Sequence, residues 1–165
     1  MNYQTRFGSL QHFEKGSIEI INDDPKHYVF SNLFEVAKAA APYEKVVVAK
    51  NLEYVIEALR AKGTSPWFVA AHDEFAVVMD GEVEVEFVKL DDAGTSVAAG
   101  HQGSVRLQSE PKGAPMGSIR MRRGHQALLP AHAAYRFVGL AEGVVLLQTI
   151  QGEHSIEKWA DICLH

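Results

Sequence analysis

Short apolar runs, most with the length and pattern of β-strands, recur along the chain. Residues 82–87 alternate glutamate with valine or phenylalanine, so the apolar side chains face one side of a strand and the glutamates the other. Residues 45–50, KVVVAK, are rich in the β-branched residues typical of strands. Asp80-Gly81, just before the alternating run, predicts a type I′ hairpin turn. Further strands are predicted at 17–22, 67–78 (one or two strands), 105–108, 118–122, 127–129, 135–138 and 144–150.

Helical patterns lie mainly in the N-terminal third and the C-terminal tail. A helix is predicted over residues 33–41, capped by Ser31 or Asn32, because its apolar residues share one face. Residues 52–62 place apolar side chains at positions i, i+3, i+4 and i+7, so periodicity predicts a helix there as well. A closing helix is predicted over residues 155–162.

Many short strands separated by glycine and proline, with little helix, predict a mostly β sandwich or barrel. The 165 residues are enough for one hydrophobic core, so we expect a single domain over residues 1–165, with a core barrel at about 45–151. The glycine-rich stretch 91–117 is interpreted as a long excursion from that barrel.

Composition excludes several classes of partner. The formal net charge of −5 argues against nucleic acid, which is usually bound by a basic patch. Cys163 is the single cysteine, so no internal disulfide can form, which fits a reducing compartment. No apolar run approaches the roughly 20 residues that span a bilayer, and no leader pattern follows Met1. We therefore expect a cytoplasmic protein whose partner is a small molecule, with no nucleic acid and no membrane.

Two spacings stand out among the predicted strands. Six residues separate Glu74 from Gly81, and five separate Gly124 from Pro130. In this order the spacings resemble the cupin superfamily, whose motifs are written G-x5-H-x-H-x3,4-E-x6-G and G-x5-P-x-G-x2-H-x3-N. The resemblance covers residues 63–143. It implies a cupin-type double-stranded β-helix, or jelly-roll barrel, here with a short N-terminal α/β extension and a C-terminal helix, and it implies a homodimer.

The sequence departs from the cupin pattern at most of the metal-ligand positions. Phe68 and Ala70 occupy the positions of the two histidines in the first motif. In the second motif, His132 replaces the glycine and Tyr135 replaces the histidine. Of the usual four ligands, only the glutamate, Glu74, remains in register.

A shifted metal site would restore a mixed histidine and carboxylate shell. His72 and Glu74 are two residues apart and so share one face of a strand, and His132 would face them from the second motif. Such a shell suits a divalent transition metal, with Fe preferred and Mn, Ni or Zn as alternatives. Tyr135 would be a fourth ligand or a proton donor. The alternative interpretation makes His72 and Glu74 polar residues at the barrel rim, His132 a turn residue and Tyr135 a core tyrosine.

The resemblance and the candidate site together predict a metal-dependent dioxygenase or related oxidoreductase acting on a small organic compound, aromatic compounds included. Tyr135 and Glu74 are its candidate catalytic residues. Apolar side chains are expected to line the substrate pocket, unless they are ordinary core residues. They are Trp67, Phe68, Phe75, Met79 and Phe137.

Two other functions remain open. A cupin without metal could act as an isomerase or lyase, with His72 or His132 as the base and Tyr135 as the acid. A cupin could also bind a ligand without turning it over. Metal analysis and a test for product formation separate these hypotheses.

Overall fold

The computed structural model describes residues 8–16, 19, 21–23 and 31–158, and this part of the chain is mostly β. The mostly β fold class is thus confirmed. Of the predicted strand at 17–22, residues 17, 18 and 20 lie outside the described residues, and residues 19, 21 and 22 belong to no strand. The described elements, in chain order, are α1 (Leu33–Ala39), β1 (Lys45–Asn51), β2 (Tyr54–Thr64), β3 (Phe68–Ala70), β4 (Glu74–Leu90), α2 (Ala93–Ser96), β5 (Ser104–Arg106), β6 (Gly113–Arg122), β7 (Gln126–Leu129), β8 (Ala133–Ile150) and β9 (Ser155–Ile156).

Helix α1 forms where the sequence predicts it. The side chain of Asn32 accepts hydrogen bonds from the backbone N–H groups of Phe34 and Glu35, at 3.0 and 3.2 Å, so Asn32 is the N-cap. The helix covers the outside of the sheet, where Val36 packs with Val46 of β1. Among the residues described, no helix has the length and apolar character needed to cross a membrane.

The strands form one curled sheet whose edges approach each other. Its main order is β5-β3-β8-β2-β1-β9, and β4 pairs with β8 and also with β6 and β7. The long strands β4 and β8 run antiparallel from Phe75↔Gln148 to Lys89↔Ala133 and bend at several bulges. The sheet therefore folds over on itself, with β5 and β9 as the two ends of its main order.

The core fills the space inside the curled sheet. Alternate residues of the strands point inward, as in any barrel. Val83 and Val85 of β4 are fully buried, and so are Phe137 and Leu147 of β8. The glutamates that alternate with these valines face outward and form ion pairs, such as Glu84 with Arg120 at 3.1 Å. The alternation in residues 82–87 thus predicts both faces of β4 correctly.

The helix predicted over residues 52–62 is wrong, because this segment forms β2. Leu52 adopts a left-handed backbone (φ 56°) in a tight turn, after which β2 pairs with β1 on one side and β8 on the other. The hydrogen bonds of two neighbouring strands outweigh a weak helical period. Residues such as Val55 and Leu59 are buried, whereas Leu52 is 81% exposed.

The hairpin predicted at Asp80-Gly81 is also wrong, since β4 continues through it. The pairing of β4 with β8 shifts register on both sides of Asp80, as in a β-bulge. Gly81 has a φ of 80°, and a Cβ atom there would lie 2.5 Å from the carbonyl oxygen of Ala141. Glycine is therefore required for a bulge and a close approach of two strands.

Two further predictions differ from the structure near the C-terminal end. The predicted strands 135–138 and 144–150 are halves of the single bent strand β8. Where a closing helix is predicted from residue 155, Ser155–Ile156 forms β9 and pairs in parallel with β1. The rest of that predicted helix, from residue 159 onward, lies outside the described residues.

Candidate functional site

Glu74 lies inside the barrel with both carboxylate oxygens occupied. It is the first residue of β4 and is fully buried. Tyr135 donates its hydroxyl to Oε2 at 2.5 Å, and Thr149 donates its hydroxyl to Oε1 at 2.6 Å. A buried carboxylate is tolerated only when it is hydrogen-bonded or paired, and β8 supplies both donors.

Tyr135 remains protonated in this site. Its side chain is fully enclosed, and burial raises the pKa of its phenol well above 10, with the charge of Glu74 raising it further. The hydroxyl of Ser104 opposes part of that rise. Tyr135 therefore acts as a fixed hydrogen-bond donor to Glu74.

His72 extends this arrangement toward the surface. Its Nε2 lies 2.9 Å from Oγ1 of Thr149. The same nitrogen accepts the backbone N–H of Ile150 at 3.3 Å, so His72 bridges the side chain of Thr149 and the backbone of β8. Burial lowers the pKa of His72, although the charge of Glu74 opposes this effect. The other ring nitrogen, Nδ1, is buried and has no partner among the described residues.

A buried ion pair continues the polar interior on the side of β1 and β2. Lys45 Nζ donates to Oγ of Ser104 at 2.5 Å and lies 3.9 Å from Oε2 of Glu57. Ser155 donates to Oε1 of Glu57 at 2.5 Å. Burial raises the pKa of Glu57, whereas the charge of Lys45 and the bond from Ser155 oppose the rise. We call these eight side chains the interior polar network; they are Lys45, Glu57, His72, Glu74, Ser104, Tyr135, Thr149 and Ser155.

The structure does not bring the three predicted metal ligands together. Glu74 is fully buried, whereas His132 is exposed on the turn after Pro130. Backbone N–H of His132 donates to the carbonyl of Ala70 at 2.8 Å, and its φ of 62° is the left-handed conformation that glycine favours. His132 thus keeps the backbone role of the motif glycine it replaces.

The described residues around Glu74 do not fit a metal ion. In the part of the chain that the structure describes, no group of three or more His, Cys, Asp or Glu side chains could hold one. Phe68 and Ala70, at the motif histidine positions, are buried and offer no donor atom. Both oxygens of Glu74 already accept short hydrogen bonds.

The five predicted pocket residues lie in different parts of the molecule. Phe68 and Phe137 pack in the barrel core, and Met79 packs in a separate cluster with Leu10 and Val144. Trp67 is buried in a third cluster, and its Nε1 donates to Glu110 at 2.8 Å. Phe75 is 47% exposed on the outside of the sheet. These side chains therefore form no common pocket.

Sequence reasoning missed most of the interior polar network beyond His72, Glu74 and Tyr135. Glu57 belongs to the segment predicted as a helix, where a glutamate is an ordinary solvent-exposed residue. With that segment read as a strand, Glu57 falls on the inward face with Val55 and Leu59, and an inward glutamate signals a buried polar site. Thr149 and Lys45 gave no such signal, because single polar residues are common at strand ends.

No protein-family model and no curated protein sequence matches this chain, but many solved structures do, and two of them match over nearly its whole length. One is the crystal structure of hydroquinone 1,2-dioxygenase PnpCD in complex with Cd²⁺ and 4-hydroxybenzonitrile. It is 56% identical, with a TM-score of 0.88, over 99% of this chain and 98% of that chain. The other is hydroquinone 1,2-dioxygenase from Sphingomonas sp. TTNP3 with 4-hydroxybenzoate bound. It is 51% identical, with a TM-score of 0.91, over 98% of this chain and 97% of that chain.

A longer chain with the same fold occurs in the same enzyme. The structure of PnpCD in complex with Fe³⁺ matches at 12% identity and a TM-score of 0.59, over 83% of this chain but 37% of that chain. At this identity the likeness shows the fold alone. PnpCD thus contains one chain similar to this one in length and sequence and another that is longer and shares only its fold. The present chain belongs to the cupin superfamily, in the family of the shorter hydroquinone 1,2-dioxygenase chains.

Proposed function

We propose that this chain is the small, metal-free subunit of a two-chain dioxygenase that opens the ring of a hydroquinone-type compound. The observation that carries the proposal is the 56% identity to a PnpCD chain over almost its full length. In the reaction that this relative's name describes, an aromatic carbon–carbon bond breaks beside a ring hydroxyl, and both atoms of O2 enter the product. The dioxygenase class expected from the sequence has support from both relatives.

In this proposal the metal belongs to the longer chain. The PnpCD structures contain Cd²⁺ or Fe³⁺, so the enzyme type uses a metal site. The interior of the present chain has Phe68 and Ala70 at the ligand positions and a hydrogen-bonded Glu74. Tyr135 and Thr149 each hold one oxygen of Glu74, so a metal ion at this carboxylate would compete with both hydrogen bonds. The interior polar network would instead stabilise the folded barrel.

An exposed row of apolar side chains gives this subunit a surface for a partner. Leu128 of β7 pairs with Phe75 of β4, Phe75 pairs with Gln148 of β8, and Gln148 pairs with Ile56 of β2. Residues directly opposite each other share one face of a sheet. The apolar members of the row, together with Tyr54 two residues before Ile56, form what we call the outer apolar face.

The side chains of the outer apolar face are exposed enough to form a binding surface for a partner. Phe75 and Leu128 are each 47% exposed, Tyr54 is 55% exposed and Ile56 is 36% exposed. Contiguous exposed apolar side chains mark interaction sites more often than isolated ones do. We assign the longer cupin chain as the occupant, since PnpCD contains such a chain. The homodimer expected from the cupin resemblance remains a prediction, and in this proposal it does not use this face.

The proposal is tested by co-expressing this chain with the longer chain of PnpCD in place of the latter's own short chain. We expect the two chains to copurify and to consume O2 when hydroquinone is added, whereas either chain alone gives none above background. Oxygen uptake by the present chain alone would contradict the division of roles. Failure of the chains to copurify, while the longer chain still pairs with its own short chain, would contradict the proposed subunit role.

A further inference from the structure

A cleft lies where the two ends of the curled sheet approach each other. Edge strands β5 and β9, with their neighbours β3 and β1, form its walls. Gly103 and Gly152 bring the backbones together there, since a Cβ atom on Gly103 would lie 2.5 Å from Cα of Gly152. Beside this contact a cavity of about 230 Å³ remains open. We call it the seam cleft.

Basic side chains from both walls converge on the seam cleft. Lys45 of β1, Arg106 of β5 and His154 before β9 all line it. Burial lowers the pKa of His154, and the positive charges of Lys45 and Arg106 lower it further against the opposing charge of Glu153. The three basic groups thus line one cavity and influence one another's charge.

The acidic residue in the lining, Glu44, is already engaged. Its carboxylate accepts from Lys158 at 3.0 Å and from the backbone N–H of Ala41 at 3.1 Å. Arg106 has no carboxylate partner among the described residues. Because Lys45 is paired with Glu57 and His154 lies beside Glu153, the positive charge that the cleft offers to a ligand comes mainly from Arg106.

Two buried groups in the cleft retain unused hydrogen-bonding capacity. The Lys45 side chain is 3% exposed, and its ammonium group, which has three N–H donors, makes a single hydrogen bond, to Ser104. Nε2 of His154 is buried and forms no hydrogen bond with any described residue, although Glu153 lies 3.4 Å away. Buried polar atoms usually have partners, so these groups have donors available for a polar ligand.

The walls of the cleft favour an organic anion. The Phe68 ring lies on its inner side, with Lys45 Nζ 4.4 Å from the ring centroid, and Tyr43 and Ile156 add further carbon surface. At roughly 30 Å³ per water in the liquid, the volume holds about eight waters, which is enough space for a small organic ligand. A planar guanidinium such as that of Arg106 matches a carboxylate in geometry and charge.

We propose that the seam cleft binds a small organic carboxylate through Arg106, His154 and Lys45, with its carbon skeleton against Phe68. This site goes beyond the proposed function and does not depend on it. None of its three basic residues belongs to the outer apolar face or contacts Glu74 directly.

The experiment measures binding of benzoate to the full-length chain by calorimetry, with benzamide as a neutral analogue of the same shape. We expect saturable binding of benzoate at one site and none of benzamide. Arg106→Gln and His154→Gln are each expected to weaken the affinity about tenfold, the effect of losing one charge-assisted hydrogen bond. Arg120→Gln, which removes an equal charge from β6, is the matched control and is expected to leave the affinity unchanged. Unchanged circular dichroism shows that each variant folds.

Several results would overturn the proposal. They are equal affinity for benzamide, no saturable binding of benzoate, or the same loss in Arg120→Gln as in Arg106→Gln. Inorganic phosphate tests whether an inorganic ion is the ligand instead, and equal or tighter binding of phosphate would remove the organic carboxylate from the assignment. Loss of dioxygenase activity is not part of this test, so its outcome is distinct from that of the subunit proposal.

Discussion

At residues 74 and 75 the usual arrangement of a small domain is reversed, because a charged side chain lies inside the barrel and an aromatic side chain lies outside it. Glu74, a carboxylate, is fully buried, whereas its neighbour Phe75 exposes 47% of its surface. Around Glu74 the interior polar network satisfies charges inside the core. Around Phe75 the outer apolar face leaves carbon surface in water.

Both regions depart from what stability alone would select. A buried charge costs free energy unless every partner is present, and an exposed apolar patch favours association. The first feature lies where cupins usually hold a metal, with Phe68 and Ala70 in place of two histidines. The second lies where a subunit could meet a partner. Changes in the interior are therefore expected to affect stability, and changes on the outer face are expected to affect association.

The largest expected effect follows removal of the central carboxylate. Glu74→Ala leaves the hydroxyls of Tyr135 and Thr149 unpaired and opens a cavity, so we expect a loss of about 4 kcal/mol in the free energy of unfolding. Glu74→Gln keeps the shape and part of the bonding, and about half that loss is expected. Urea denaturation measures both. Glu53→Ala, at an exposed position, is the control. A Glu74→Ala variant as stable as this control would show that the network contributes nothing.

The ion pair in the same network is expected to have the next largest effect. Lys45→Met leaves Glu57 buried without its counter-charge, so we expect a loss of about 3 kcal/mol. Because burial already raises the pKa of Glu57, that loss is expected to shrink at low pH, where Glu57 takes up a proton. The double variant Lys45→Met/Glu57→Leu removes both charges and is expected to be more stable than Lys45→Met alone in urea denaturation. A double variant that loses the sum of the two single effects would contradict coupling of the pair.

On the outer apolar face the expected effect is on association and not on folding. Leu128→Asp is expected to change the free energy of unfolding by less than about 0.5 kcal/mol but to weaken copurification with the longer chain at least tenfold. Leu140→Asp is the matched control, since Leu140 is 46% exposed against 47% for Leu128 and lies outside the face. Size-exclusion chromatography measures both variants. If Leu128→Asp instead dissociates a homodimer of this chain, the assigned occupant is wrong.

A smaller effect is expected from pH, because His72 is partly exposed. Burial lowers its pKa below the ordinary 6.5, so the unfolded chain binds the proton more tightly than the folded chain does. The stability from neutral His72 is therefore present above about pH 6.5 and is lost as the pH falls toward the folded pKa. Urea midpoints between about pH 7.5 and about pH 5 are expected to fall less steeply for His72→Gln than for the unmodified chain. The control His12→Gln, at an exposed position, is expected to keep the full slope, and an equal reduction in both variants would contradict the role of His72.

The sequence predicts the barrel better than it predicts the site, for physical reasons. The alternation in residues 82–87 is strict because one face of β4 is buried and the other faces solvent, so the pattern predicts the strand and both of its faces. The sequence does not identify β2 as a strand, because its apolar residues also satisfy a helical period and only pairing with β1 and β8 decides between the two structures. Gly81 signals an unusual backbone correctly, but a turn and a bulge require the same residue.

The interior polar network could not be predicted because its members are far apart in the sequence. Lys45 meets Ser104 and Glu74 meets Thr149 across 59 and 75 residues, and only the curled sheet brings them together. Glu74 and Tyr135 were singled out by motif position, and the structure joins them by a hydrogen bond where the prediction expected metal coordination. Side chains that replace metal ligands carry no sequence signature of their own.

Metal analysis is the most direct test of the central claim that this chain is the metal-free member of a two-chain enzyme. The chain and its complex with the longer chain are purified from cells supplied with Fe, Mn, Ni and Zn, and bound metal is measured by mass spectrometry. The account predicts no stoichiometric metal in the isolated chain and about one metal per pair of chains in the complex. One metal per isolated chain, lost in Glu74→Gln and in His72→Ala, would contradict it.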